Sequence, residues 1–230
     1  MYGMYGYGYG YGFDPTIILV LIGVALSLWA QGRVNSTFSR YSRVRSMTGM
    51  TGAEAARRLL NAQGIYDVTV QPIAGELTDH YDPRTKTVNL SQSVYGATSV
   101  AAIGVAAHEC GHAMQDNEGY APLRFRSALV PAANFGSKLS WPLILLGLVF
   151  GGLGSPLVEI GILMFSLAVL FQLVTLPVEY NASARAVRLL DSQGILAGEE
   201  VSGTRKVLNA AALTYVAAAA TSILQLLRLI

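Results

Sequence analysis

Four apolar runs limit what this chain can fold into. Pro15–Gln31 is seventeen residues without a charge, with Trp29 near its end. Leu139–Leu153 and the Ala-rich Val207–Leu227 are also uncharged, and Leu157–Leu176 carries only Glu159. A helix needs about 17–25 apolar residues to cross a bilayer. In lipid every backbone polar group must be bonded internally, so a spanning segment is a helix or part of a closed barrel. Composition points the same way: 52% of the residues are hydrophobic and 13% charged, where a globular chain has about 25% charged. We therefore expect a multi-pass membrane protein, α+β in class but mostly helical.

The basic residues orient it. Arg33, Arg40, Arg43 and Arg45 follow the first run closely, and no Lys or Arg precedes it. The positive-inside rule then puts the N-terminus outside and the far end of the run in the cytosol. Contact of these arginines with lipid headgroups is compatible with that. Gly151–Pro156 is a tight turn that makes the second and third runs a hairpin. The hairpin returns the chain to the cytosol, where Arg185 and Arg188 agree with the rule. The fourth run contains Asn209, Thr214, Tyr215 and Gln225. It either spans or lies buried at the interface.

The expected division is a disordered Tyr-Gly tail at 1–14, a first span at 15–31 and a cytosolic unit at 32–126. A second span region at 127–155 and a third span at 157–177 follow. The cytosolic helix 178–206 leads to the last segment, 207–229. The tail lacks the basic start of a cleavable signal peptide. A net charge of +2 is too small to suggest nucleic acid, and no basic block interleaved with aromatics exists outside the segment after the first span. The single cysteine, Cys110, excludes an internal disulfide and reads as a small buried filler.

Within the cytosolic unit, Thr51-Gly-Ala-Glu54 is a capping box opening a helix that Gly64 stops. Ile65–Ile73 and Thr85–Leu90 read as strands, with a turn at Asp82–Thr85 between them. The second is either an ordinary sheet strand or an edge that an extended peptide could join. Thr98–Gln115 reads as one helix. It carries His108-Glu109-Cys110-Gly111-His112.

Histidines four apart lie one turn apart on one helical face, so both imidazoles can reach one ion. The adjacent Glu109 can hold and deprotonate a water on that ion, which is the arrangement of zinc peptidases. A catalytic zinc takes three protein ligands and keeps one position open. The remaining histidine, His80, lies in a turn-like segment and reads as a surface or substrate-positioning residue. A carboxylate should therefore complete the set. Glu179 is the best placed, on a helix leaving the third span, and Ser183 one turn on could support it.

Two rivals are weaker. An intramembrane protease would need the motif inside a span, and Thr98–Ala107 is too short an apolar run. A non-enzymatic scaffold with structural zinc would need a fourth Cys or His. Cys110 points about 200° away from the histidine face.

Four stretches together carry a resemblance. They are His80–Ser91, Val105–Gln115, Leu176–Ser183 and Leu208–Ala217. From about Val34 onward the chain resembles the bacterial YugP-like membrane zinc metallopeptidases, similar in plan to glutamate-ligand zincins. The resemblance implies a small zincin-like cytosolic unit, one Zn²⁺ per chain on His108, His112 and Glu179, and Glu109 as general base. A site at the membrane boundary suggests peptide substrates from membrane-anchored or membrane-derived chains, by geometry alone. Asn181 and Ser183 stand where related sequences often carry acidic residues, a departure that concerns tuning rather than metal binding. On this reading the peptide lies along Thr85–Leu90. Tyr95, Tyr120, Tyr180, Tyr215, His80 and Arg185 are all open as oxyanion donors.

Overall fold

The structure is a computed structural model that describes residues 14–230. The expected Tyr-Gly tail lies outside them, apart from Asp14. In chain order come α1 (Ile17–Ser42), α2 (Gly52–Ala62), β1 (Thr69–Ile73), β2 (His80–Asp82), β3 (Thr87–Ser91) and α3 (Gln92–Tyr95). They are followed by α4 (Val100–Asn117), α5 (Ala121–Gly151), α6 (Pro156–Ser192) and α7 (Glu199–Leu229). Among the described residues, α1, α5, α6 and α7 are the four helices long and apolar enough to cross a membrane. Their outward side chains stay apolar, among them Leu28, Val149, Phe150 and Leu163. Such surface suits lipid.

The apolar runs are parts of longer helices. α1 continues eleven residues past Gln31, to Ser42. α5 starts at Ala121, well before Leu139, and takes in Pro131 and Pro142. α6 runs through Pro177 without ending, so the third run and the Glu179 segment are one rod of 37 residues. α7 begins at Glu199. Hydropathy marks where a helix becomes wet, and a helix has no reason to stop there.

The small unit grows from local signals. Thr51 accepts from the Glu54 N–H at 3.2 Å, and the Glu54 carboxylate accepts from the Thr51 N–H at 2.8 Å, closing the capping box. Gly64 takes φ +70°, the left-handed stop that a side chain resists. The first strand is shorter than expected, Thr69–Ile73.

The sheet order corrects one expectation. It is β1-β3-β2, with β3 parallel to β1 and antiparallel to β2. β3 contains most of Thr85–Leu90, and it is the central strand with both sides paired. It cannot accept a peptide. The edge on the motif side is β2, a strand of three residues, too short for its alternation to be read in the sequence.

α4 lies at the centre. It is buried nearly all round, against α2, α6 and α7. That is why its composition is Ala and Gly rather than a one-sided stripe. Cys110 is fully buried, with its thiol 3.6 Å from the Ala56 carbonyl on α2, on the side away from the histidines. Burial pushes that thiol's pKa up, helped by the charge of Glu109, so it is an inert filler.

On the opposite side Gly111 meets α6. A Cβ there would lie 2.6 Å from the Ala182 carbonyl oxygen. The two backbones touch at that point, and Ala182 is three residues after Glu179, on the same side of α6.

A candidate metal centre

The contact at Gly111 brings α6 against the two histidines. Glu179 Oε2 lies 3.2 Å from His108 Nε2 and 3.5 Å from His112 Nε2. One ligand atom from each of the three residues falls within 4.8 Å of the others. Two donors about 2.0–2.1 Å from one tetrahedral ion sit roughly 3.3 Å apart. The spacing therefore fits a single small ion, and this trio can hold one. The imidazoles meet edge to face, 84° apart, so their Nε2 atoms converge without the rings stacking.

The far nitrogens are committed elsewhere. His112 Nδ1 lies 3.0 Å from Gln115 Oε1. The Gln115 amide nitrogen donates to the Val178 carbonyl at 2.9 Å and to Asn181 Oδ1 at 3.0 Å. Those two acceptors fix which end of the amide faces the ring. Gln115 Oε1 can only accept, so His112 Nδ1 carries the proton and Nε2 keeps its lone pair for metal. His108 Nδ1 lies 3.1 Å from Ser183 Oγ. Ser183 thus orients His108, where the sequence suggested support for Glu179. Asn181, the other departure from the family pattern, accepts from Gln115 and also from Arg185 Nε at 2.7 Å.

Electrostatics follow burial. Glu179 is 2% exposed, and Arg126 Nη1 lies 3.6 Å from its outer oxygen. Burial pushes the His112 imidazole down, but the Glu179 carboxylate bonded to it and the nearby Glu109 charge outweigh this and raise its pKa. Burial raises the Asp79 pKa, against the bonds it accepts from the Ser91 N–H and hydroxyl.

Glu109 and the trio open onto a cleft of about 710 Å³, walled by the Asp79–Arg84 segment on one side and by Leu123, Arg126 and Val130 of α5 on the other. A narrower apolar cavity of about 170 Å³ runs inward past Phe38, Val105 and Ala212. Glu109 and Tyr215 line both.

The other oxyanion candidates are mostly elsewhere. Tyr95 receives a bond from Arg57 and Tyr120 lies under Arg185. Arg185 pairs with Glu118, and Tyr180 faces a separate crevice. His80 stands on the cleft wall, bonded to the Thr78 carbonyl and Asn89.

Sequence reasoning missed Arg126 and Gln115. Gln115 lies one turn beyond His112 less one residue, the i, i+3 relation that could have marked it. Arg126 has no sequence signal, because it reaches the trio only through the packing of α5 on α6. The Gln115 bond has a measurable consequence. Gln115→Leu should weaken zinc affinity about 10–100-fold, read by competition with a chelating dye. Unchanged affinity would mean that the ring needs no such partner.

Comparison with known proteins agrees with the geometry. The family described as "Putative neutral zinc metallopeptidase" matches residues 16–230. The "Putative membrane protease YugP" of Bacillus subtilis (strain 168) is 50% identical over 214 residues, 93% of this chain and 94% of that protein. No solved structure matches. With its three-donor cluster and a family match that runs from the start of α1 to the C-terminus, the chain belongs to the neutral zinc metallopeptidase family.

Proposed function

We propose that this protein hydrolyses peptide bonds of membrane-associated or misfolded chains at the cytosolic membrane face. His108, His112 and Glu179 hold one zinc, and Glu109 is the general base. The observation that carries this is the Glu109 carboxylate facing the same open cleft as the three-donor cluster. A structural site would be closed on that side.

Bound there, zinc supplies Lewis acidity, which makes water nucleophilic near neutral pH and polarises a carbonyl. The chain's own groups do the rest. The substrate backbone lies antiparallel along the β2 edge, His80–Asp82, replacing the Thr85–Leu90 docking that the sheet order rules out. Glu109 takes a proton from water as its oxygen bonds to the carbonyl carbon, and returns that proton to the amine nitrogen as the C–N bond breaks. Tyr215, on the cleft wall beside Glu109, donates its O–H to the carbonyl oxygen as charge develops there. Arg126 holds the outer oxygen of Glu179, leaving the inner one for metal.

Candidate spans within α1, α5, α6 and α7 support a cleft beside the bilayer, and the arginines after the first span support the cytosolic side for it. Vesicles test both points. Inside-out vesicles carrying the protein should cleave added β-casein, stop with 1,10-phenanthroline and resume with zinc, while right-side-out vesicles do nothing. Cleavage from right-side-out vesicles alone would overturn the topology. Zinc-loaded protein that cleaves nothing in a broad peptide library would overturn the peptidase reading. In the same assay Tyr215→Phe should lower kcat about 10²–10³-fold with zinc retained. A smaller loss would leave the oxyanion to another donor.

A further inference from the structure

A second crevice, of about 670 Å³, opens between α1, α6 and α7 on a side distinct from the cleft. Its cations are Arg33 and Arg40 of α1 and Lys206 of α7. No carboxylate lines it, and among the described residues none of the three cations is ion-paired. Tyr41, Tyr180 and Asn209 add groups that can donate hydrogen bonds. α1 has no acidic residue along its length.

Convergent cations without counter-charge repel one another, so this arrangement costs stability unless something anionic offsets it. The level of the crevice says what that is. Arg33 lies two residues past the first apolar run, Tyr180 four past the third, and Lys206 one before the fourth. All three helices cross the headgroup layer there. Ala210 and Leu213, already inside the fourth run, line the crevice together with these cations. A free phosphate has no use for that apolar lining, whereas an acyl chain does.

We infer that this crevice is a binding site for one anionic phospholipid. The phosphate lies among Arg33, Arg40 and Lys206, and the first acyl carbons lie against Ala210 and Leu213. The inference goes beyond the peptidase reading and rests only on the membrane position of the helices. The neighbouring crevice along α6 and α7 continues the same charge bias, with Arg188 and Arg205 against Asp191 alone.

Native mass spectrometry of the full chain in mild detergent tests this. The probes are dioleoyl-phosphatidylglycerol and dioleoyl-phosphatidylcholine in equal amounts. Wild type should retain about one phosphatidylglycerol per chain, favoured at least about tenfold. The Arg33→Gln/Arg40→Gln/Lys206→Gln variant should lose that preference. These side chains are solvent-exposed, so the variant should fold, and an unchanged helical circular-dichroism signal checks it. Should the triple variant fail that check, Lys206→Gln alone must show a reduced preference. Equal retention of both lipids by wild type, or an undiminished preference in a folded variant, overturns the site. Displacement of the lipid by millimolar inorganic phosphate makes it a phosphate site and also overturns the proposal. Zinc content measured on the same preparations keeps this result separate from the fate of the peptidase reading.

Discussion

Glu109→Gln is expected to leave about one zinc per chain in place and to lower turnover by about 10²–10⁴-fold. The amide has nearly the carboxylate's shape and can still hydrogen-bond, but it cannot accept a proton from water. Glu109 is only 7% exposed and faces the cleft, so bulk solvent is a poor substitute base at that point. The three residues that can hold a metal, His108, His112 and Glu179, are untouched by the change, which is why zinc and activity should separate. Elemental analysis and β-casein cleavage on the same preparation read the two quantities. Turnover close to wild type would remove Glu109 from the mechanism.

Glu179→Ala should do the reverse and strike the metal itself. Two imidazoles remain, and a third donor within 4.8 Å is gone. The loss of zinc affinity should exceed the ~100-fold upper range for losing an outer partner. The substitution also leaves Arg126 facing a void where its carboxylate partner lay 3.6 Å away. Removing one member of a buried charge pair costs about 3–5 kcal/mol, reduced here because Arg126 keeps some solvent contact. A drop in unfolding midpoint should therefore accompany the zinc loss. Zinc retained at the wild-type level would send the third donor elsewhere.

How much was readable in advance depended on the distance over which each signal acts. The spacing of His108 and His112 is local to one helix, so the sequence displays it. Glu179 was readable because few carboxylates occupy the start of a post-span segment. The partners of the ring nitrogens were harder. Whether Ser183 meets Glu179 or His108 depends on how α6 is rotated against α4, and that rotation is set by the contact of Gly111 with Ala182. In the motif Gly111 occupies a position that any residue could fill. Only the second helix reveals that a side chain would not fit. The sheet order was hidden for a related reason. β3 inserts between β1 and β2, a choice made by packing against α4 rather than by any pattern within the strands.

The unbroken course of α6 carries a mechanical consequence. From Leu157 to Glu179 the helix advances about 33 Å, so Glu179, as the proposed third donor, would stand at the end of an arm that lies in lipid. A helix adapts to a thinner bilayer by tilting. A tilt of about 5° over that length would move the tip by roughly 3 Å, far more than the ~0.2 Å latitude of a metal–ligand bond. The contact at Gly111 clamps the tip, so tilt becomes strain between clamp and membrane. With zinc on the proposed trio, bilayer thickness would reach the metal's coordination through α6, as it would not where all three donors stand on soluble helices.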